Sequence, residues 1–243
     1  MNDDLDQLLK NLRLHRIREI IEREVERADK AKKKPSYTEF VARLLREQYQ
    51  YRRERSVAYR ISQARLPEQW TLETFPFAQQ PGVHEPTVRQ LDELDFIPQA
   101  HNLVFIGDTG VGKSGLAMSI LRKALENGYR GLFIKAQDLF DDMYQSLADH
   151  SSRKLLNRLA SIDVLLIDEM GYLNLRPEQS NIFFKLMEER YNRKSTLITT
   201  NLIYDDWYSF LGNKQMVAAL LDRLRHHCHT ISIEGPSLRQ PKA

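Results

Sequence analysis

NLVFIGDTGVGKSGL (102–116) is the stretch on which the fold turns. Residues 102–106 are a short, almost continuously apolar run, the pattern of a strand buried on both faces. GDTGVGKS (107–114) follows and matches G-x-x-x-x-G-K-[ST]; Leu116, Ala117, Ile120 and Leu121 then recur at helical spacing. A strand, a glycine-rich turn and a helix in that order build a phosphate cradle. The glycines let the backbone wrap closely and aim N–H groups inward, and the helix N-terminus adds positive potential. The expected nucleotide contacts are Gly107, Asp108, Thr109, Gly110, Val111, Gly112, Lys113 and Ser114. Lys113 is expected on the β- and γ-phosphates of ATP, and the Ser114 hydroxyl on Mg2+.

Working outward, four more short apolar runs alternate with helical periods: GLFIK (131–135), DVLLI (163–167), STLITT (195–200) and HTISI (229–233). Five strands separated by helices predict βαβ units and a mostly parallel sheet between helical layers. The third run delivers Asp168 and Glu169 at its C-terminal end, where open α/β sheets bind ligands. Asp168 is expected to hold Mg2+, directly or through water, and Glu169 to orient and deprotonate the attacking water. Two acids after a strand are commonly a turn; beside a phosphate cradle they read as catalytic.

The fourth run ends in Thr199, Thr200 and Asn201. With that strand between the phosphate-loop strand and the acidic strand, Asn201 is expected near the γ-phosphate, helping to hold the water. Alone, it would be a turn signal. In ALLDRLRHHC (219–228), Arg223 and Arg225 stand near a helix end. Either could be supplied to a neighbouring subunit's transition state, or could simply complement the helix dipole. His226, His227, Cys228 and His229 are consecutive, and four neighbours in a helix or strand cannot all turn toward one ion. Phe183, Phe184, Leu186 and Met187 keep a helical period and are expected in the core.

Upstream the pattern is different. Leu5, Leu8, Leu9 and Leu12, continued by Ile17, Ile20 and Ile21, form a helical stripe that the run KAKKKP (30–35) breaks. Ser36 and Glu39 look like a capping box opening a second helix, with Phe40, Val41, Leu44 and Leu45 as its apolar face. We read 1–66 as a small all-helical N-terminal domain, the proline-containing stretch 67–100 as an extended connector, and 101–243 as the ATPase domain. Residues 1–65 carry 17 Lys/Arg against 11 Asp/Glu, while the remainder carries 19 against 22. That asymmetry fits a polyanionic partner and equally a solvated basic helix. No apolar run approaches the length of a membrane span, the start lacks a signal pattern, and the lone Cys228 allows no internal disulfide. A cytoplasmic protein with no membrane partner is expected.

Together with their order and neighbours, these motifs resemble the IstB family. Its members are helper ATPases encoded beside transposases in some insertion sequences, within the DnaC/DnaA-like branch of AAA+ ATPases. The resemblance covers nearly the whole chain. It is carried by LPEQWTLETFPF (66–77), the phosphate loop, LLIDEMGYL (165–173), ERYNRKSTLITTN (189–201), Trp207, LLDRLRHH (220–227) and GPSLR (235–239). It implies an AAA+ P-loop core, Arg223 as the arginine finger and Arg239 as a C-terminal arginine approaching the nucleotide. Asp108 and Thr109 stand where the family often has two prolines, and Ser114 where threonine is common; a serine hydroxyl serves the metal equally well. With the chain ending at Ala243, we expect no large C-terminal lid, so DNA contact falls to the helical domain or the core.

The expected function is ATP-dependent binding of double-stranded DNA, largely without sequence specificity, by a self-associating helper that captures target DNA for a transposase encoded nearby. The competing reading is a DnaC-like replicative helicase loader that grips its helicase through the N-terminal helices. A metabolic P-loop kinase fits less well, given the acid pair, Asn201 and the lack of a recognisable substrate lid.

Overall fold

A computed structural model describes residues 3–171 and 173–239 of the chain. Tyr172 of the LLIDEMGYL stretch, and the outermost residues of the first and last domain ranges, lie outside the described residues. The chain divides into two compact units, Met1–Tyr59 and Arg60–Ala243. The division falls inside a long helix, a few residues before the expected boundary at 66.

The first unit is helical: α1 (Asp3–Asn11), α2 (His15–Asp29) and α3 (Tyr37–Ala64), the last continuing into the second unit. The stripe read as one helix from Leu5 to Ile21 is two helices. Arg13 adopts a left-handed φ of 53°, and Arg13 N–H donates to Lys10 O at 2.9 Å while Leu14 N–H donates to Leu9 O at 2.9 Å. This is a Schellman end, and Leu14 packs with Leu9 in the same cluster, which fastens it. The side-chain oxygen of buried Gln48 then accepts from Arg16 N–H at 3.0 Å and Ile17 N–H at 3.3 Å, capping α2 from across the bundle. The Ser36/Glu39 capping box forms in both directions, at 2.8 Å and 3.2 Å. Only part of the expected apolar face is covered. Leu9, Ile17, Ile20 and Leu44 are buried, whereas Leu8, Leu12, Val41 and Leu45 are exposed.

The second unit begins within the stretch read as an extended connector, and there the expectation needs correction. Residues 67–100 carry the helix α4 (Glu85–Leu91) and bury Leu72, Phe75, Val83, Val88, Leu91, Phe96 and Ile97 in the core. The prolines set turns in a packed strap, and its irregularly spaced apolar residues gave no period to read.

The rest alternates as predicted: β1 (Asn102–Gly107), α5 (Lys113–Glu126), β2 (Gly131–Lys135), α6 (Ala136–Ala148), α7 (Ser152–Ala160), β3 (Val164–Met170), α8 (Pro177–Arg190), β4 (Ser195–Thr200), α9 (Trp207–Leu211), α10 (Lys214–His226) and β5 (Cys228–Ile233). All strand pairs are parallel, in the order β2-β3-β4-β1-β5, so β4 lies between the phosphate-loop strand and the acidic strand. Alternate residues serve two core layers. Leu103 and Phe105 of β1, with Val164 and Leu166 of β3, pack toward α5 and the 67–100 strap. Val104, Leu165 and Ile167 pack toward α6, α7, α8 and α10. Phe183, Phe184, Leu186 and Met187 are buried in that second layer, as their period required. This is the AAA+ P-loop fold. Among the described residues no helix is long and apolar enough to cross a membrane.

One buried charge organises the chain where it enters β3 and β4. Arg190, 1% exposed, donates to Leu159 O at 2.7 Å, Ile162 O at 2.8 Å and Thr196 Oγ1 at 2.9 Å, and also to Ser195 O. Burial pushes its pKa down, and nearby Asp163 opposes that. Arg190→Ala would leave several buried acceptors unpaired, so a loss of about 3 kcal/mol or more is expected. Denaturant unfolding checks it: the midpoint should fall with an unchanged slope.

Candidate active site

A cavity of about 520 Å³ opens at the C-terminal edge of the sheet, within the second unit. Its floor is the phosphate loop. Gly110 and Gly112 take left-handed φ values of 87° and 96°, which side chains rarely adopt. Space excludes side chains too: a Cβ on Gly110 would lie 2.1 Å from Ser237 Oγ, and one on Gly112 2.8 Å from the Phe75 ring. Gly112 is also the N-cap of α5, so the free N–H groups of the first helical turn face the cradle. These features fit the phosphates of a nucleotide.

Lys113 is 9% exposed, and its ammonium donates to Gly107 O at 2.8 Å and Asp108 O at 2.7 Å. Burial lowers its pKa; the Arg239 guanidinium adds to that shift, while Asp168, Asp108 and Glu169 oppose it. The cation is thus held at the cradle by two carbonyls and flanked by both signs of charge.

The acid pair sits on an irregularity that the sequence did not announce. Between Ile167 and Met170 the β3–β4 register slips by one residue, and Glu169 has φ 60°. Thr199 pins this bulge. Its hydroxyl donates to Asp168 Oδ1 at 2.5 Å and accepts from Glu169 N–H at 3.0 Å. Asp168 Oδ1 also accepts from the Ser114 hydroxyl at 2.7 Å. A buried carboxylate touching a loop hydroxyl is an oxygen donor set of the kind that suits Mg2+, which takes few protein ligands and the rest from phosphates and water. The bulge sends the Glu169 side chain a different way from Asp168, to a partly exposed ion pair with Lys135 at 3.2 Å.

Glu169, Lys113, Ser114, Thr109, Gly110, Gly112 and Arg239 all line the cavity. Asn201 is not among its lining residues. The strand-end positions there are Thr199 and Thr200, while Asn201 lies one residue on, its Oδ1 3.0 Å from where a Cβ on Gly171 would stand. Arg223 is also outside the cavity; on α10 it pairs with Glu188 at 3.6 Å. Arg225 lies over the Tyr204 ring at 5.1 Å. Six lining residues were not expected from the sequence: Glu68, Trp70, Phe75, Gly115, Met118 and Leu238. The indole N–H of Trp70 donates to Glu68 Oε2 at 2.6 Å. The available signal was an aromatic cluster inside a proline-containing stretch, and prolines that suggest an extended connector mask it.

In the first unit, part of the basic charge is already engaged. Arg52 donates to Leu12 O at 3.4 Å and Arg13 O at 3.2 Å, Arg43 pairs with Glu24 at 3.5 Å, and Arg55 donates to Tyr51 Oη at 3.1 Å. Lys33, Lys34, Arg43 and Arg46 line a cleft beside the first turns of α3.

The family model described as IstB-like ATP binding protein matches residues 7–243. An ATP-binding protein of insertion sequence IS21 from Pseudomonas aeruginosa is 35% identical over 97% of this chain and 88% of its own length. Among solved structures, the DnaC helicase loader is similar with a TM-score of 0.53 and 26% identity, over 62% of this chain and 88% of its own. DnaI shares the fold at a TM-score of 0.60 and 19% identity, over 68% of this chain and 92% of its own.

Proposed function

Because the chain belongs to the IstB-like ATP-binding protein family, we propose that it hydrolyses ATP to control its grip on double-stranded DNA. In doing so it would serve as a self-associating helper to a transposase encoded beside it. One observation carries the catalytic half. Asp168 Oδ1 is shared by the hydroxyls of Ser114 and Thr199, next to Lys113 and directly before Glu169. Ser114 and Asp168 are the residues to hold Mg2+, which neutralises phosphate charge when bound. Lys113 and the loop N–H groups bind the phosphates. Glu169, turning away from its ion-pair partner Lys135, takes the proton of the attacking water. Arg239, lining the same cavity, adds a second cation for the phosphates. The position of Arg223 outside its own chain's cavity is what an arginine delivered to a neighbour requires.

The DNA half rests on the basic excess of the first unit. The residues to test are those not spent on capping: Lys33, Arg46 and Arg53, all exposed. Reversing the three to Glu should weaken binding to unrelated duplexes alike. The slope of log affinity against log salt should flatten by about 0.9 for each phosphate no longer neutralised. Titration of labelled duplexes over a range of salt reads both. An unchanged slope, or strong dependence on one sequence, would remove this reading. Preference for single strands would favour the DnaC-like loader, the alternative that the likeness to the DnaC helicase loader supports. The transposase half is tested by strand transfer, which should require both this chain and ATP.

A further inference from the structure

Gln80 touches both the phosphate loop and the segment that crosses it, and it has no place in the chemistry above. It follows the short turn Phe77–Gln79 and is fully buried. Its amide nitrogen donates to Val111 O at 3.1 Å, in the phosphate loop, and to Pro236 O at 2.9 Å, in the segment after β5. Its amide oxygen is buried with no hydrogen-bond partner among the described residues. An apolar side chain of this size would spare that oxygen but leave two carbonyls unpaired, so the two donors are what the site uses.

The backbone is built around this contact. A Cβ on Gly82 would lie 1.7 Å from Glu234 O, and one on Gly235 1.9 Å from Gln80 Oε1. Farther along, Leu238 N–H donates to Gly110 O at 2.8 Å. Residues 234–239 therefore cross the phosphate loop with two fastenings, and Arg239, directly after the second, lines the cavity.

We propose that Gln80 is a positioning residue: it clamps residues 234–239 to the phosphate loop and so holds Arg239 against the phosphates of ATP, an inference that rests on the ATP reading of the cavity. Arg239 is a long, exposed side chain. Its value to an anion depends on how firmly its backbone is placed.

The test is a double-mutant cycle with a structural readout. Gln80→Leu should weaken binding of a fluorescent ATP analogue about tenfold in the otherwise unaltered chain, the scale of one charged hydrogen bond. In an Arg239→Ala background the further loss should stay within about twofold. Hydrogen exchange, followed without nucleotide, should show the Leu238 amide exchanging at least about tenfold faster while the β3 amides keep their protection. If Gln80→Leu does not fold, Gln80→Asn, too short to reach both carbonyls, is judged by the same criteria. Unchanged affinity, equal losses in both backgrounds, or unchanged Leu238 exchange would each overturn the proposal. If the unaltered chain binds no analogue while Leu238 exchange still depends on Gln80, the ATP reading fails and the clamp itself is upheld.

Discussion

Glu169→Gln is expected to bind Mg·ATP as the unaltered chain does and to hydrolyse it about 10²–10⁴-fold more slowly, because an amide cannot accept the proton of the attacking water. The substitution is nearly isosteric. Glu169 is held by its own N–H to Thr199 at the bulge, which the amide variant keeps, and its side chain makes only a partly exposed ion pair with Lys135. Neither stability nor the cradle should suffer. Lys113→Ala behaves differently. It removes the cation that sits 2.8 Å and 2.7 Å from the Gly107 and Asp108 carbonyls, so affinity should fall about a hundredfold or more and turnover should vanish with it. Equilibrium titration and phosphate release, measured separately, distinguish the two. Normal turnover by Glu169→Gln would take the base role away from it; normal affinity of Lys113→Ala would remove the cavity from the nucleotide.

The parts legible in the sequence are those where local chemistry and tertiary need coincide. A glycine-rich turn between a buried strand and a helix has few uses, so residues 107–114 announced the cradle, and the apolar strands announced a parallel sheet. The capping box at Ser36 forms because its two partners are three residues apart. What stayed hidden depends on partners far along the chain. The break at Arg13 is fixed by packing of Leu14 in the helical unit, and the α2 cap comes from Gln48, over thirty residues later. The bulge at Asp168–Glu169 is held by Thr199 on another strand, a residue that in sequence is legible only as a strand end. The cavity wall from Trp70 and Phe75 lies in a stretch whose prolines suggest a connector and whose apolar residues follow no period. Arg52 belongs to the basic excess of residues 1–65, but its bonds to Leu12 O and Arg13 O give it a capping role, which makes it unsuitable for a charge-reversal test.

Arg223→Ala is expected to lose on the order of 10³–10⁵ in turnover while retaining ATP affinity, by the measure of arginine fingers elsewhere. Loss of the fold would not explain such a drop. Arg223 and Glu188 are both well exposed, and an exposed pair contributes little to stability. Arg225→Ala is the comparison, since Arg225 is engaged over Tyr204 and should cost far less turnover. The decisive arrangement is a mixture. Lys113→Ala lacks a working cavity but keeps the finger; Arg223→Ala keeps the cavity and lacks the finger. If the finger acts between subunits, random co-assembly of equal amounts places a good cavity beside a good finger at about a quarter of head-to-tail interfaces, so up to that share of activity should return. An arginine acting within its own chain predicts no recovery at any ratio. The same logic makes specific activity of the unaltered chain rise with protein concentration, because each site is complete only in an assembly. Mixed oligomers verified by mass that stay inactive would return Arg223 to a structural role on α10.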